Sequence, residues 1–356
     1  MIRIIPNVSA NINSIRNFLG IKDSTENLNV SSVKNSSAIW YLSDLSEKKT
    51  SVPQVSEKIQ TVNNIQRLVS TEVLKKLYYA ANSPQYDENN YQCVPNSRYG
   101  SGIPYCKKTL IESNGILLPA NNVSANNSPY MTIACQYPLN NKQSLKDYFN
   151  MLFDNDINTV YVLASNNDII RDRSTQLGEY NKDDFEKEGF KYFREDLDLD
   201  DIKSRHIEKW ALNKNETCLD CKAYIKLVTK ENNDEKKTIN FVHIYNWPDH
   251  TAIDATKLKN TINIIGGNLK INPTKENIAV HCLAGLGRTG EFIALMEMMK
   301  MIEAGNTKTK SLESIICDLR KKRSMQLLKK REQVDELIKF AINNNIPLVN
   351  DHIKIK

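Results

Sequence analysis

Apolar residues recur with two periods along this chain, and the changes of period outline its elements. Residues 1–60 follow neither period: Asn, Ser, Lys and Ile dominate, and Ser51-Val-Pro53 interrupts what pattern there is. A partly ordered extension is expected there. From Gln54 to Tyr79, Val55, Ile59, Val62, Ile65, Leu68, Val69, Leu74 and Leu77 fall at helical spacing. A second helix is predicted over Ser144–Phe153 and an apolar strand over Thr159–Ala164. Phe190–Tyr192, Ala223–Val228 and Thr238–Val242 alternate as antiparallel strands do, the last continuing to Tyr245. Ala255–Ile265 reads as a helix ended near Gly266-Gly267, and Glu276–Val280 as a short buried strand. Phe292, Ile293, Leu295, Met296 and Met299 then mark another helix, followed by helices over Thr307–Ser324 and Val334–Asn343. This order predicts an α/β fold, a mixed, highly twisted sheet with helices on both faces.

Composition narrows the picture. The 356 residues are 40% hydrophobic and 25% charged with a net charge of +6, which suits a soluble globular protein of one large domain plus an extension. The division expected is 1–60 for the extension and 61–356 for the domain. No apolar run approaches the roughly 18 residues of a membrane span. The first twenty residues lack the apolar core of a secretory signal peptide. Seven scattered cysteines argue for reduced thiols. The single C-x2-C, Cys218 to Cys221, has no second ligand pair at zinc spacing and reads as a surface turn before the strand Ala223–Val228.

Chemistry concentrates in ten residues between the last predicted strand and its helix: His281-Cys282-Leu283-Ala284-Gly285-Leu286-Gly287-Arg288-Thr289-Gly290. Gly285 and Gly287 let the backbone bend and approach a ligand. Inward amides and a helix N-terminus make an anion cradle sized for a phosphoryl group. Gly287-Arg288-Thr289 replaces the Gly-Lys-Ser/Thr of a nucleotide loop, and a cysteine opens the run. Amides, helix dipole and Arg288 favour thiolate over thiol at Cys282, and Arg288 can clamp two phosphoryl oxygens with its planar fork. Thr289 is placed to donate its hydroxyl to the departing sulfur. The blander alternative is a buried cysteine beside a glycine turn with a stray arginine.

The run resembles the signature of the cysteine-dependent protein tyrosine phosphatases, and its surroundings are most similar to the injected bacterial effectors of that family. Further similar runs are Ile133-Ala-Cys-Gln-Tyr-Pro-Leu139, Val162-Leu-Ala-Ser165, Asn246-Trp247-Pro248-Asp249 with Thr251-Ala252, and Glu332 to Lys339. The likeness covers roughly residues 68–350, is weakest over 170–235, and is absent from the first 60. It implies the tyrosine phosphatase fold, Cys282 as nucleophile, and Asp249 as general acid and then base. Trp247 and Pro248 would belong to a loop that closes over substrate. It implies that Arg98 and Tyr99 form a cleft wall deep enough for phosphotyrosine, and that Leu283, Ala284, Gly285, Leu286 and Gly287 line the cradle. It implies that Asp168 fixes Arg288, that His281 belongs to the catalytic group, and that Gln333 positions the hydrolytic water. Three positions depart from the family pattern: Ser101 for an Asp that holds the substrate main chain, Asp168 for a Glu, and Lys329 for an earlier Gln.

No metal, nucleotide or flavin is called for, because thiolate, arginine and acid cover the three roles of a phosphomonoester hydrolase. The expected partners are phosphotyrosine proteins of a host cell, with an export chaperone on residues 1–60, and a monomer is expected. The basic runs Arg320-Lys-Lys-Arg323 and Lys329-Lys-Arg331 lack the aromatic interleaving of a nucleic-acid surface and read as a positive cleft rim. Two other readings stand beside the first: a dual-specificity or phosphoinositide phosphatase, and a phosphotyrosine-binding module without turnover. Neutral Leu283 and Leu286 weigh against the former, and the presence of Cys282, Arg288 and Asp249 against the latter.

Overall fold

The structure is a computed structural model and describes Ile65 and residues 69–79, 87–176, 178–180, 189–231 and 234–350. All of them belong to the compact unit Ile65–Lys356. The expectations for residues 1–60, and for a helix beginning at Gln54, lie outside the described residues. What is described of that helix, α1 (Thr71–Tyr78), starts afresh: Ser70 is extended and its hydroxyl accepts from the Val73 amide. The helical spacing on either side of Ser70 therefore does not form one uninterrupted helix, because a serine N-cap competes successfully for the backbone.

The strands follow as β1 (Tyr91–Gln92), β2 (Tyr105–Cys106), β3 (Leu110–Ser113), β4 (Ile116–Asn122), β5 (Thr132–Cys135), β6 (Thr159–Val162), β7 (Leu197–Asp198), β8 (Ile202–Leu212), β9 (Cys221–Lys230), β10 (Glu235–His243) and β11 (Ile278–His281). The later helices are α2 (Lys142–Asp154), α3 (Asn166–Arg171), α4 (Arg173–Gln176), α5 (Ala255–Leu269), α6 (Gly287–Glu303), α7 (Leu312–Lys322) and α8 (Arg331–Asn343). β3 to β11 form a mixed sheet in the order β3-β4-β5-β11-β6-β10-β9-β8-β7. The four strands β5, β11, β6 and β10 run parallel, and the wings on both sides are antiparallel. The mixed sheet flanked by helices expected from the sequence is thus what forms.

Strand alternation sorts the core into two layers. Val160 and Val162 of β6 join Phe149 and Leu152 of α2, whereas Tyr161 between them joins α6 and packs on Phe292, ring centroids 4.6 Å apart. Ala279 of β11 likewise faces α2's layer, and Ile278 and Val280 face that of α6. β11 sits near the middle of the sheet, so the ten-residue run leaves the best-supported strand end in the molecule. α6 is buried on nearly every side, including Arg288, Thr289, Glu291 and Glu297. Among the described residues no helix is long and apolar enough to cross a membrane.

Several local expectations are corrected. Phe190–Tyr192 is not a strand: the Arg194 amide bonds back to the Lys191 carbonyl at 2.8 Å, and Phe190, Tyr192 and Phe193 all sink into α2's layer. Aromatic burial produced an alternation that mimicked a strand. α5 runs through Gly266-Gly267 and stops only at left-handed Lys270, because the chain reverses and lays Pro273 against Gly266, where a Cβ would lie 2.8 Å from the proline ring. Cys218 and Cys221 are buried rather than at a surface turn. The end of the β8–β9 hairpin packs on α5 through a hydrogen bond from the Leu219 amide to Thr261 Oγ1 at 2.9 Å. The helix predicted from Thr307 begins at Leu312, capped by Ser311.

β10 and β11 each end on a fully buried histidine, and burial pushes both His243 and His281 down to about 3. The unfolded imidazoles take up protons near their ordinary value while the folded ones stay neutral. Each histidine's share of stability is therefore complete above about pH 6.5 and is lost as pH falls towards the folded value. Glu276, raised to about 7 by burial, acts in the opposite sense, so the histidine share is read by difference. Between about pH 6.5 and about pH 4, His243→Gln is expected to lower the slope of unfolding free energy against pH by up to one proton. Urea titrations of the full chain measure it; an unchanged slope would mean His243 is charged in the fold.

Candidate active site

Cys282 follows directly on β11 and is buried. Its Sγ accepts a hydrogen bond from the Gly285 amide at 3.2 Å, which bends the loop round the sulfur. Gly285 has φ +71°, and a Cβ there would collide with the Cys135 carbonyl on neighbouring β5. Only glycine meets both demands. Leu283 and Leu286 are buried, Ala284 and Gly287 half-buried, and the Leu283 carbonyl accepts from the Tyr137 amide at 3.1 Å. α6 starts at Gly287 with no side-chain cap on its first amides, leaving the positive end of the helix at the loop.

Arg288 lies in the first turn of that buried helix, only 1% exposed. Its Nη1 donates to the Trp247 carbonyl at 2.7 Å and to the Asp168 carboxylate, and its Nη2 donates to Asp249 Oδ1 at 3.0 Å. Nε is buried and has no protein partner among the described residues, which leaves it to donate to an anionic ligand. Burial opposes the charge, but Cys282, Asp249 and Asp168 outweigh it and hold the guanidinium above its ordinary range.

Asp168 is not in a loop. It is the third residue of α3 and half of a capping box, its carboxylate accepting from the Ser165 amide at 3.0 Å while the Ser165 hydroxyl accepts from its own amide at 3.2 Å. Local capping thus aims the shorter aspartate at Arg288. Asp249 is half exposed, its second oxygen 3.5 Å from His250 Nε2. Exposed Pro248 and buried Trp247 complete the turn. The indole Nε1 donates to the Thr251 carbonyl at 3.0 Å, the Thr251 hydroxyl to the Pro248 carbonyl at 2.7 Å, and the Ile253 amide to Glu291 Oε1 at 3.1 Å. Burial raises Glu291 well above the usual carboxylate range, and its Oε1 ties the loop to α6 through the Ile253 amide.

Other predicted residues sit differently. Arg98 does not face the cleft: its guanidinium is buried against Asp172 and the carbonyls of Tyr137 and Pro138. It braces the segment that carries Tyr99 against the Tyr137-Pro138 turn. Tyr99 is half-buried against the apolar layer that contains Cys282, and burial raises its phenol. Thr289 accepts from the Cys282 amide at 2.9 Å, which fixes the backbone at Cys282 and leaves its own O–H to donate. His281 is buried between Tyr192, whose hydroxyl lies 2.6 Å from Nε2, and the Cys282 carbonyl, 3.1 Å from Nδ1. Gln333 packs under Gly287 and donates to the Thr251 carbonyl at 3.0 Å. Ser101 and Lys329 are exposed.

Tyr192, Asp172 and Glu291 went unmarked in the sequence as site residues, and Arg323 was read only as part of a positive cleft rim. Arg323 is fully buried, stacks over Tyr105 at 4.6 Å, and donates to Asn121 at 2.8 Å and to the Gly285 carbonyl at 3.3 Å. Its place in a basic run suggested solvent, and nothing local signals its burial. No cluster of His, Cys, Asp or Glu able to hold a metal occurs among the described residues.

Residues 88–343 match the sequence model of the family described as protein-tyrosine phosphatase. The chain is 28% identical to tyrosine-protein phosphatase YopH of Yersinia enterocolitica over 264 residues, 70% of this chain and 50% of that protein. It is 23% identical to secreted effector protein SptP of Salmonella paratyphi A over 301 residues, 81% of this chain and 50% of that protein. It therefore spans about half the length of these relatives. Among solved structures it resembles PTPN18, with TM-score 0.58 and 16% identity over 80% of this chain and 97% of that one. It also resembles the Trypanosoma brucei phosphatase TbPTP1, with TM-score 0.57 and 19% identity over 79% and 93%. These two likenesses concern the fold. A sheet of this order, a cysteine loop at its central strand, and a family match across most of the chain agree: the chain belongs to the protein-tyrosine phosphatase family.

Proposed function

We propose that this chain hydrolyses phosphotyrosine in proteins through a phosphocysteine intermediate. The observation that carries the reading is Arg288, a buried arginine beside Cys282 that reaches Asp249 at 3.0 Å and keeps Nε without a protein partner. In the first step the Cys282 thiolate attacks phosphorus, the tyrosyl oxygen leaves with its bonding pair, and Asp249 supplies that oxygen's proton. Nε and the loop amides take up the charge on the phosphoryl oxygens. In the second step water attacks the phosphocysteine, Asp249 accepts the water's proton, and sulfur departs as thiolate. Gln333, beside Gly287 and with a buried Oε1 unpartnered among the described residues, orients that water. His281 and Thr289 act by fixing the carbonyl and amide of Cys282. Tyr99 supplies the ring wall of the cleft.

The reading extends to the setting. SptP is named a secreted effector. We place this chain likewise among effectors delivered to a host cell, its substrates being host phosphotyrosine proteins.

Rates on matched phosphotyrosine peptides, phosphothreonine peptides and phosphoinositides test the substrate class. Phosphotyrosine is expected to lead, and a lead for the lipids would overturn the reading. Cys282→Ser is expected to abolish turnover of p-nitrophenyl phosphate while keeping phosphopeptide binding. Asp249→Ala should lower kcat by about 10²–10⁴-fold and retain substrate proteins from host lysate. A wild type inert towards p-nitrophenyl phosphate would favour a binding module.

Asp168→Asn keeps the shape of the capping side chain but removes the charge facing Arg288. A rise in KM for aryl phosphate of about tenfold, with a smaller change in kcat, is expected from a loosened clamp. Unaltered steady-state constants would show that Asp168 only caps α3.

A further inference from the structure

A lysine lies fully buried in the middle of the sheet. Lys226 stands on β9 between His206 of β8 and Ile239 of β10 and is 0% exposed. Tyr224 and Val228, two residues to either side, belong to α2's layer, so alternation turns the lysine into that same apolar layer. Lysine is almost never buried completely unless it is paired. Among the described residues Lys226 has no ion pair with a carboxylate. Its ammonium donates instead to two main-chain carbonyls, those of Glu195 and, at 3.5 Å, Tyr192. Burial pushes the amine down to about 8, with Asp196 and Glu195 favouring the charge and Arg205 opposing it, so an ammonium persists at neutral pH. An apolar side chain of the same length would fill the space without a buried charge, so packing alone does not account for a lysine here.

What the ammonium holds is the turn over residues 191–195, closed by the Arg194 and Glu195 amides on the Lys191 carbonyl at 2.8 and 3.2 Å. Tyr192 projects from that turn towards Cys282. Its ring stands edge-on to Tyr137 and Phe241, centroids 5.2 and 5.7 Å away. Such contacts orient the ring, but how far its hydroxyl reaches depends on where the main chain of Tyr192 is tethered, and Lys226 is a tether. At the other end His281 is neutral and carries one ring proton. The Cys282 carbonyl can only accept, which places that proton on Nδ1 and leaves Nε2 to accept from the Tyr192 hydroxyl 2.6 Å away. We propose that Lys226 is a positioning residue for the nucleophile, acting through the main chain of Tyr192 and the ring of His281 on the Cys282 carbonyl. It touches neither ligand nor reacting atom. Its kinetic consequence rests on the hydrolase reading above; the line of contacts from β9 to Cys282 does not.

The test uses the full chain. Lys226→Met keeps the length of the side chain and removes the ammonium. It is expected to lower kcat for p-nitrophenyl phosphate by about ten- to a hundredfold while KM stays near the wild-type value. Tyr192→Phe, which keeps the ring and removes the hydroxyl, should do the same. The double variant should be no slower than the slower single one, because both changes break one line of contacts. Nitrogen NMR of the imidazoles, with His281 assigned through His281→Gln, gives a readout that general destabilisation does not move. Wild-type His281 should show a protonated Nδ1 and an accepting Nε2, and in Lys226→Met the Nε2 signal should shift towards its place in Tyr192→Phe. Lys226→Gln, a shorter donor, should fall between in both kcat and shift, and it carries the test where Lys226→Met does not fold. A Lys226→Met chain that unfolds cooperatively in urea yet keeps wild-type kcat and the wild-type Nε2 signal would overturn the proposal. So would losses that multiply in the double variant, or Tyr192→Phe at full kcat. A wild type without turnover would instead overturn the hydrolase reading, and the Nε2 shift alone would then decide for or against Lys226.

Discussion

One buried guanidinium holds the Cys282 end of this molecule together. Arg288 belongs to α6, yet it binds a carboxylate from α3 and both the main chain and the acid of the turn after β10. Three segments far apart in sequence are thereby set round Cys282. A charge this deep is costly unless it is well paired, and a lost partner leaves a penalty of about 3–5 kcal/mol. Nε, buried and without a protein partner among the described residues, is the part of this group still to be satisfied.

Two further buried arginines stabilise the ground on which that pairing stands. Arg98 ties the Tyr137-Pro138 turn to Asp172, at the end of the helix that presents Asp168. Arg323 reaches from the end of α7 to the Gly285 carbonyl, on the outer side of the bend whose amide meets the sulfur. Between them His281, neutral and clamped by Tyr192, fixes the Cys282 carbonyl. Directional bonds among buried polar groups fix the loop geometry more narrowly than apolar contacts would.

Much of this was legible in the sequence, because chain order and local chemistry carry it. The run from His281 to Gly290 announced strand, bend and helix through its glycines and flanking apolar residues. Long-range partners were the illegible part. Nothing around Arg98 states that Asp172 will neutralise it, and nothing around Arg323 states that Tyr105 and Asn121 will bury it. Thr289 announced a hydroxyl at the loop, but not that the Cys282 amide would donate to it. Phe190–Tyr192 and Gly266-Gly267 misled for a related reason. Tertiary packing overruled a local period in the first case and a local helix-breaking tendency in the second.

The carbonyl of Thr251 has a wider meaning than its size suggests. It accepts both the indole N–H of Trp247 and the side-chain amide of Gln333. The acid-bearing turn and the glutamine of α8 are therefore latched to one oxygen atom. Any swing that carries Thr251 outward unhooks Gln333 at the same instant and frees its amide to choose another acceptor. Motion of the turn thus resets the polar lining on the far wall of the cleft, and a single backbone atom keeps time between the two sides.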